Sequence, residues 1–358
     1  MDLLLNDEQI MLRDSAATFT ERRGGAHRLR DLRDKATKVD AYIWQQAAKA
    51  GWLSIMVPES AGGLGLGLTE LCLVSEELGK GLVPEPIAAV AAVASAAGNC
   101  AKNIINGKRL VLPALIETTR GIGDEPPTVT VLPNCADVSL DGVKTSVIAP
   151  QDAAAFLVSA TVPDGIGLAL VDAANVEITA AETIDGTASG SIALHGSKAT
   201  LVADANEAPT RISALLDALH LSNAAELLGV METAQDITVE YLKTREQFDR
   251  PIGSFQTLQH RAVDNLAAIE ICRSLIYRAA SAVDSGGRIP GLASAALSLS
   301  TKSALEVCKS TIQMHGGIGF TDEHDIGLYL KRTMTLAARF GNAGLHRKRY
   351  AEYAQPHD

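Results

Sequence analysis

Two segments far apart in the chain carry residue types and spacings suited to a dinucleotide. The first reads Tyr241-Leu242-Lys243-Thr244-Arg245-Glu246-Gln247-Phe248-Asp249-Arg250-Pro251-Ile252-Gly253-Ser254-Phe255-Gln256. One helical pattern ends there and another begins, leaving Arg245 free to grip a diphosphate with its planar fork. Phe248 and Phe255 offer flat apolar surface to an adenine or ribose. The competing reading pairs Arg245 with Glu246 or Asp249 on the surface and buries both rings. The second segment, Gln313-Met314-His315-Gly316-Gly317-Ile318-Gly319-Phe320, follows a long helical pattern. Glycines at 316, 317 and 319 let another backbone or a pyrophosphate come close, although a glycine cap and turn would also explain them. The glycine run at 62–67 lacks a preceding strand and a Lys-Ser/Thr ending, so it reads as a tight turn, not a phosphate loop.

The elements around these segments fall into three textures. From Asn6 to about Asn106 the pattern is helical. Asn6 or Asp7 can cap a first helix, a second runs through Tyr42, Trp44 and Ala48 to Gly51, and a third covers 68–80. From Arg109 to about Asp204 short β segments follow one another: 128–132, a hairpin of 138–140 and 143–148 turning at Asp141-Gly142, then 156–158, 167–171, 176–179 and 191–194. That spacing predicts an antiparallel sandwich or barrel. Beyond Ala214 come long helices at 215–243, 258–285 and 292–313, then one from about Glu323 to before Gly341. The fold class is α+β, with an N-terminal helical domain (1–108), a middle antiparallel β-domain (109–208) and a C-terminal helical bundle (209–358).

Composition narrows the function classes. The chain has 358 residues, 47% of them hydrophobic, and a net charge of −10, which gives no overall attraction to nucleic acid or an anionic membrane. Five scattered cysteines without a Cys-x-x-Cys pair suggest reduced thiols and no zinc site. The acidic start, Met1-Asp2 through Asp7-Glu8, lacks the basic region of a secretory signal. The apolar stretch at 87–97 is too short to span a bilayer, so the expected location is the cytoplasm.

Taken together, the helical–β–helical order, Pro58-Glu59 with Gly62-Gly63-Leu64-Gly65, the Arg245…Phe248…Phe255-Gln256 set and Gln313-x-x-Gly316-Gly317-x-Gly319 resemble the acyl-CoA dehydrogenase family. The resemblance covers nearly the whole chain and implies a C-terminal four-helix bundle with FAD bound across a subunit interface. It assigns Arg245, Gln247, Phe248, Phe255, Gln256, Gln313, Gly316 and Gly317 to the ADP half of a FAD whose flavin ring lies largely in the neighbouring subunit. The family removes two hydrogens from an acyl-CoA thioester. A carboxylate takes the α-proton while the β-hydride goes to the flavin, giving a trans-2-enoyl-CoA.

The groups for that chemistry are missing. In the commonest branch the base is a Glu before a Gly near the C-terminus; counting on from Gly317, that place holds Phe340. A second branch puts its Glu on the first helix of the C-terminal domain, where this chain has Leu219. Asp217 and His220 are close in sequence, but about 3.6 residues per helical turn aims neither where that Glu would point. Asp217 stays a candidate base, against the alternative of a solvated acid at a helix start. The family's Thr-Glu-Pro…Gly-Ser-Asp run is reduced to fragments in 116–124, and Lys144-Thr145-Ser146-Val147-Ile148 puts Ser146 and Ile148 where an aromatic ring and a hydroxyl would meet the flavin.

The resemblance therefore implies the non-catalytic subunit of a heteromeric, α2β2 acyl-CoA dehydrogenase. It would lend ADP-side contacts to a catalytic partner that holds the base, the flavin and the acyl-CoA. Electrons would pass to an electron-transferring flavoprotein, and bulky steroid side-chain thioesters are the analogous substrates. The alternatives are a self-sufficient dehydrogenase using Asp217 and a non-enzymatic acyl-CoA-binding scaffold.

Overall fold

The computed structural model describes residues 4–117, 121–122, 127–132 and 138–354. Asn6 caps α1 (Asp7–Arg23), its side chain accepting from the Gln9 amide while Gln9 reaches back. A helix that the periodicity did not reveal follows, α2 (Ala26–Arg33), entered through Gly25 at φ +99°. Asp40 caps α3 (Ala41–Lys49), and α4 (Leu68–Lys80) has the bounds the pattern predicts. The apolar stretch at 87–97 is α5 (Ile87–Ala96), buried on nearly all sides, which is why it shows no polar face. A short α6 (Ala101–Ile105) ends the N-terminal domain.

The middle domain contains β1 (Val111–Ala114), β2 (Ile116–Glu117), β3 (Gly121–Ile122), β4 (Thr130–Leu132), β5 (Val138–Ile148), β6 (Ala155–Val162), β7 (Gly165–Asp172), β8 (Glu177–Glu182) and β9 (Ala188–Ala203). β5, β4, β6, β7 and β9 pair in sequence around a ring that closes where β9 meets β5, so the barrel alternative holds. The pairing is not purely antiparallel, because β6 runs parallel to β1 and β4. The expected hairpin at Asp141-Gly142 is absent. Residues 138–148 form one strand, whose register against β9 shifts beside Asp141, so these two residues mark an irregularity and not a turn.

The C-terminal unit has α7 (Ala208–Thr244), a small hairpin of β10 (Glu246–Gln247) and β11 (Arg250–Pro251), then α8 (Gln256–Asp284), α9 (Leu292–His315), α10 (Ile326–Arg339) and α11 (Ala343–Ala354). The last helix was not anticipated, and it packs on α9. α4 crosses α7 at two glycines. A Cβ on Gly79 would come within 2.2 Å of the Glu226 carbonyl oxygen, and one on Gly229 within 1.9 Å of that of Glu76. Only glycine permits this approach of the two backbones. Arg332 of α10, fully buried, joins the three regions: it binds Asp185 between β8 and β9, Glu226 of α7 and the Val83 carbonyl.

Candidate functional site

Five of the eight expected cofactor contacts share one exposed corner. Arg245 ends α7, and its carbonyl accepts from the Ile252 amide at 2.8 Å, closing the base of the β10–β11 hairpin. Gln247 lies on β10 and Gln256 opens α8, both exposed. The hairpin turn is Phe248-Asp249, with φ +55° and +60°. Such turns favour Asn-Gly, because side-chained residues are strained there. Phe248 nevertheless stands 84% exposed, meeting Phe255 edge-on at 6.1 Å. Arg250, whose part the sequence did not suggest, lies over the Phe255 ring at 4.2 Å.

The other three sit where α9 ends. Gln313 is exposed in its last turn, and Gly316, at φ +67°, caps it. An added Cβ would meet nothing within 4 Å at Gly316 or Gly317, whereas at Gly319 it would come within 2.9 Å of the Ile312 carbonyl oxygen. The glycines thus divide: Gly319 serves the chain's own packing, and Gly316 and Gly317 face open space. Tyr241, one turn before Arg245, brings the two groups together. Its ring stacks on His315 at 4.5 Å and its hydroxyl donates to the His315 carbonyl at 3.4 Å. Arg245, Phe248 and the bare Gly316-Gly317 backbone together can take a flat ring system and an anionic diphosphate from outside the chain.

The residues in the places of the two bases converge elsewhere, inside the chain. Phe340 from the end of α10 and Leu219 from α7 meet Ser146 and Ile148 of β5 around a cavity of about 10 Å³. Leu216, Pro113, Leu115 and Ile116 complete its apolar lining. Such a space holds one water at most, against several hundred Å³ for a ligand pocket. The next space along Phe340, lined by Glu226 and Arg339 among others, is about 20 Å³. An isoalloxazine and a thioester do not fit here.

Neither neighbour of Leu219 reaches the cavity. Asp217 is buried and accepts from Arg288 Nε at 2.5 Å, so it is neither a free base nor a solvated acid at a helix start. Arg288 also donates to Ser213 at 2.7 Å. His220 packs against His346, ring centroids 4.8 Å apart, and lies behind Phe340. Burial pushes the His220 imidazole well below its ordinary value, and His346 and Arg349 push it further. Burial likewise brings His346 down to about 4.

One part of the family pattern in the β region keeps a partner. Glu117 accepts from Lys144 Nζ at 2.7 Å, with both side chains buried. Residues 118–120 and 123–126 of the altered run lie outside the described residues. Among the described residues no group of three or more His, Cys, Asp or Glu could hold a metal, and no helix is long and apolar enough to cross a membrane.

Residues 6–106 match the model of the acyl-CoA dehydrogenase N-terminal domain and residues 210–354 that of the C-terminal domain. Among curated relatives, acyl-CoA dehydrogenase FadE27 of Mycobacterium tuberculosis is 31% identical over 350 residues, 91% of each chain. Acyl-CoA dehydrogenase IpdE2 of Mycolicibacterium smegmatis is 28% identical over 94% of this chain and 96% of its own. Among solved structures, a Tcur3481-Tcur3483 steroid ACAD variant superposes with TM-score 0.89 at 32% identity, covering 97% of both chains. The ChsE4-ChsE5 complex from Mycobacterium tuberculosis gives 0.90 at 27%, covering 99% of this chain and 100% of that one. The chain belongs to the acyl-CoA dehydrogenase family, whose cofactor is FAD.

Proposed function

We propose that this chain is the non-catalytic subunit of a heteromeric, FAD-dependent acyl-CoA dehydrogenase, an α2β2 assembly with half the FADs of a homotetramer. The observation that carries the reading is an asymmetry. The positions for a base and for the flavin ring are filled by Phe340, Leu219 and Ile148 around a water-sized cavity, while the residues for another subunit's ADP are exposed, apart from the half-buried Phe255. Random decay would not sort residues by whose cofactor they touch. Two similar solved structures support the same reading, since one is a steroid ACAD of two named chains and the other a complex of two. The substrate class is then a bulky steroid side-chain thioester, and the electron acceptor an electron-transferring flavoprotein.

In this assembly the chain's residues bind and orient. Arg245 would supply paired donors to the diphosphate, Phe248 and Phe255 flat apolar surface to the adenosine, and Gln247, Gln256 and Gln313 amide groups. Gly316 and Gly317 admit the diphosphate to the backbone. The bound FAD supplies a hydride acceptor, and the partner subunit supplies the carboxylate for the α-proton and the thioester pocket.

Co-expression with a neighbouring dehydrogenase gene product should yield a yellow complex that oxidises an acyl-CoA, with this chain alone colourless. Arg245→Ala should weaken FAD retention by about 1.5–3 kcal/mol, the range for hydrogen bonds to charged groups. A yellow homo-oligomer of this chain that an acyl-CoA bleaches would defeat the proposal.

A further inference from the structure

Three rings meet where α7 and α9 end. Tyr241 stacks on His315, at 4.5 Å and 25° between planes. His324, from the loop before α10, lies 4.5 Å from His315 and 6.0 Å from Tyr241. Each of the first two adjoins a residue of the clasp. The Arg245 amide donates to the Tyr241 carbonyl at 2.8 Å, and His315 directly precedes Gly316.

The proton positions follow from the partners. His315 Nδ1 lies 2.8 Å from the Thr311 carbonyl, which can only accept, so Nδ1 carries the hydrogen and Nε2 the lone pair. That Nε2 is buried and has no hydrogen-bond partner among the described residues. His324 Nδ1 accepts from the Ile326 amide at 3.2 Å, leaving the hydrogen on its Nε2. An apolar side chain at 315 would leave no unpaired nitrogen, whose burial costs about 1–3 kcal/mol. Packing alone does not account for two imidazoles here.

We propose that Tyr241, His315 and His324 are positioning residues of the dinucleotide clasp, their stacked rings fixing the Arg245 hairpin relative to the Gly316-Gly317 backbone. The inference rests on the clasp reading above. Burial pushes the His315 imidazole below its ordinary value, the Thr311 carbonyl opposes this in part, and His324 adds to the fall. Asp322 and Asp325, in the loop of His324, are held by Arg33 and Arg30 of α2, and Lys331 also faces Asp322. Glu323 is exposed. α7 contributes Tyr241 to the stack, and α9 contributes the Thr311 carbonyl. A proton on His315 Nε2 would enter a buried space without an acceptor, beside a second imidazole. The stack would part, and the two halves of the clasp with it.

The test uses the complex of this chain with its catalytic partner, reading flavin absorbance retained after equilibration between pH 8 and pH 5. Unaltered protein should retain FAD at least about tenfold more weakly at pH 5 than at pH 8. His315→Gln and His324→Gln, which take up no proton, should flatten that dependence. Tyr241→Ala should lower retention at every pH, with Tyr241→Phe restoring most of it. An acid loss unchanged in both Gln variants, or no acid loss at all, overturns the inference. Arg245→Ala separates the two levels: if it leaves FAD retention intact, the clasp reading itself fails. If it lowers retention while the histidine variants behave as unaltered protein, only the stack fails. Should the variants not assemble, imidazole ¹⁵N titration of the unaltered full-length chain decides. His315 titrating in the ordinary histidine range overturns the inference, and a titration depressed below that range supports it.

Discussion

Lys144 and Glu117 form a buried ion pair in the middle domain, Nζ to Oε1 at 2.7 Å. Thr128 donates to the same carboxylate through both its amide and its hydroxyl, the Val129 amide adds a third donor, and Ser159 accepts from Lys144 at 3.0 Å. This pair fastens β2 to β5 at the edge of the filled cavity. Burial alone would raise the Glu117 carboxyl, but Lys144 and Thr128 hold it at about 2, below the ordinary 4.5. Burial brings the Lys144 ammonium down to about 8, so the nitrogen bears the larger desolvation cost. Lys144→Met should therefore cost about 3–5 kcal/mol by leaving a buried carboxylate unpaired, and Lys144→Met with Glu117→Gln should recover most of it. Urea midpoints of the unaltered chain and the two variants check this.

The same carboxylate sets an acid limit. Its folded value lies below its unfolded one, so its stabilisation is complete above about pH 4.5 and is lost as the pH falls towards 2. The full effect is about 3 kcal/mol. Glu117→Gln should flatten the fall in stability across that window, as read from unfolding free energies at stepped pH.

Asp217 decides between a self-sufficient dehydrogenase and the subunit reading. Its carboxylate belongs to Arg288 at 2.5 Å and does not line the cavity of Leu219 and Phe340. Asp217→Asn should leave turnover per FAD of the assembled complex unchanged. It should cost the chain about 1 kcal/mol, because the pair is partly solvated. A drop in turnover of tenfold or more at equal FAD content would mark Asp217 as the base.

Much of this was legible in the residues, and the failures have physical causes. Long periodic helices declared themselves because each must bury one stripe, and the bounds of α4 came out to the residue. α2 did not, because it is short and charged, and Leu29 and Leu32 are its largest buried side chains. Asp141-Gly142 spells a hairpin turn locally, yet pairing with β9 on both sides holds the strand straight. Of the site, Phe340, Leu219, Ser146 and Ile148 were each placed by counting along the chain. That they meet at one cavity, and that Arg288 claims Asp217, are tertiary facts without a sequence period to announce them.

Phe340 packs the place where a base would stand, at 6% exposure. Phe340→Ala should open a cavity costing about 3–5 kcal/mol, with a lower Tm. Phe340→Leu should cost less and leave turnover of the complex intact. Phe340→Glu should give the chain alone no dehydrogenase activity, because a carboxylate there still has no room for flavin or thioester beside it. Absorbance of the purified single chain, with and without acyl-CoA, checks the last point.

Phe248 separates stability from cofactor binding. It holds φ +55° while 84% exposed, so the strained turn gives the isolated chain little packing in return. Strain of this kind costs about 1–3 kcal/mol, and glycine removes it. Phe248→Gly should therefore raise the unfolding free energy of the chain by about 1 kcal/mol, less than the full strain because the unfolded glycine is more mobile. In the complex the same change should weaken FAD retention, since the ring proposed to cover the adenosine is gone. Phe248→Ala keeps the strain and loses the ring, so it should weaken retention equally without the gain in stability. Thermal melts of the chain and flavin content of the complex, measured on both variants, give the two readouts. A ring that serves only the hairpin would show the opposite pairing, with stability falling in both variants and FAD content unchanged.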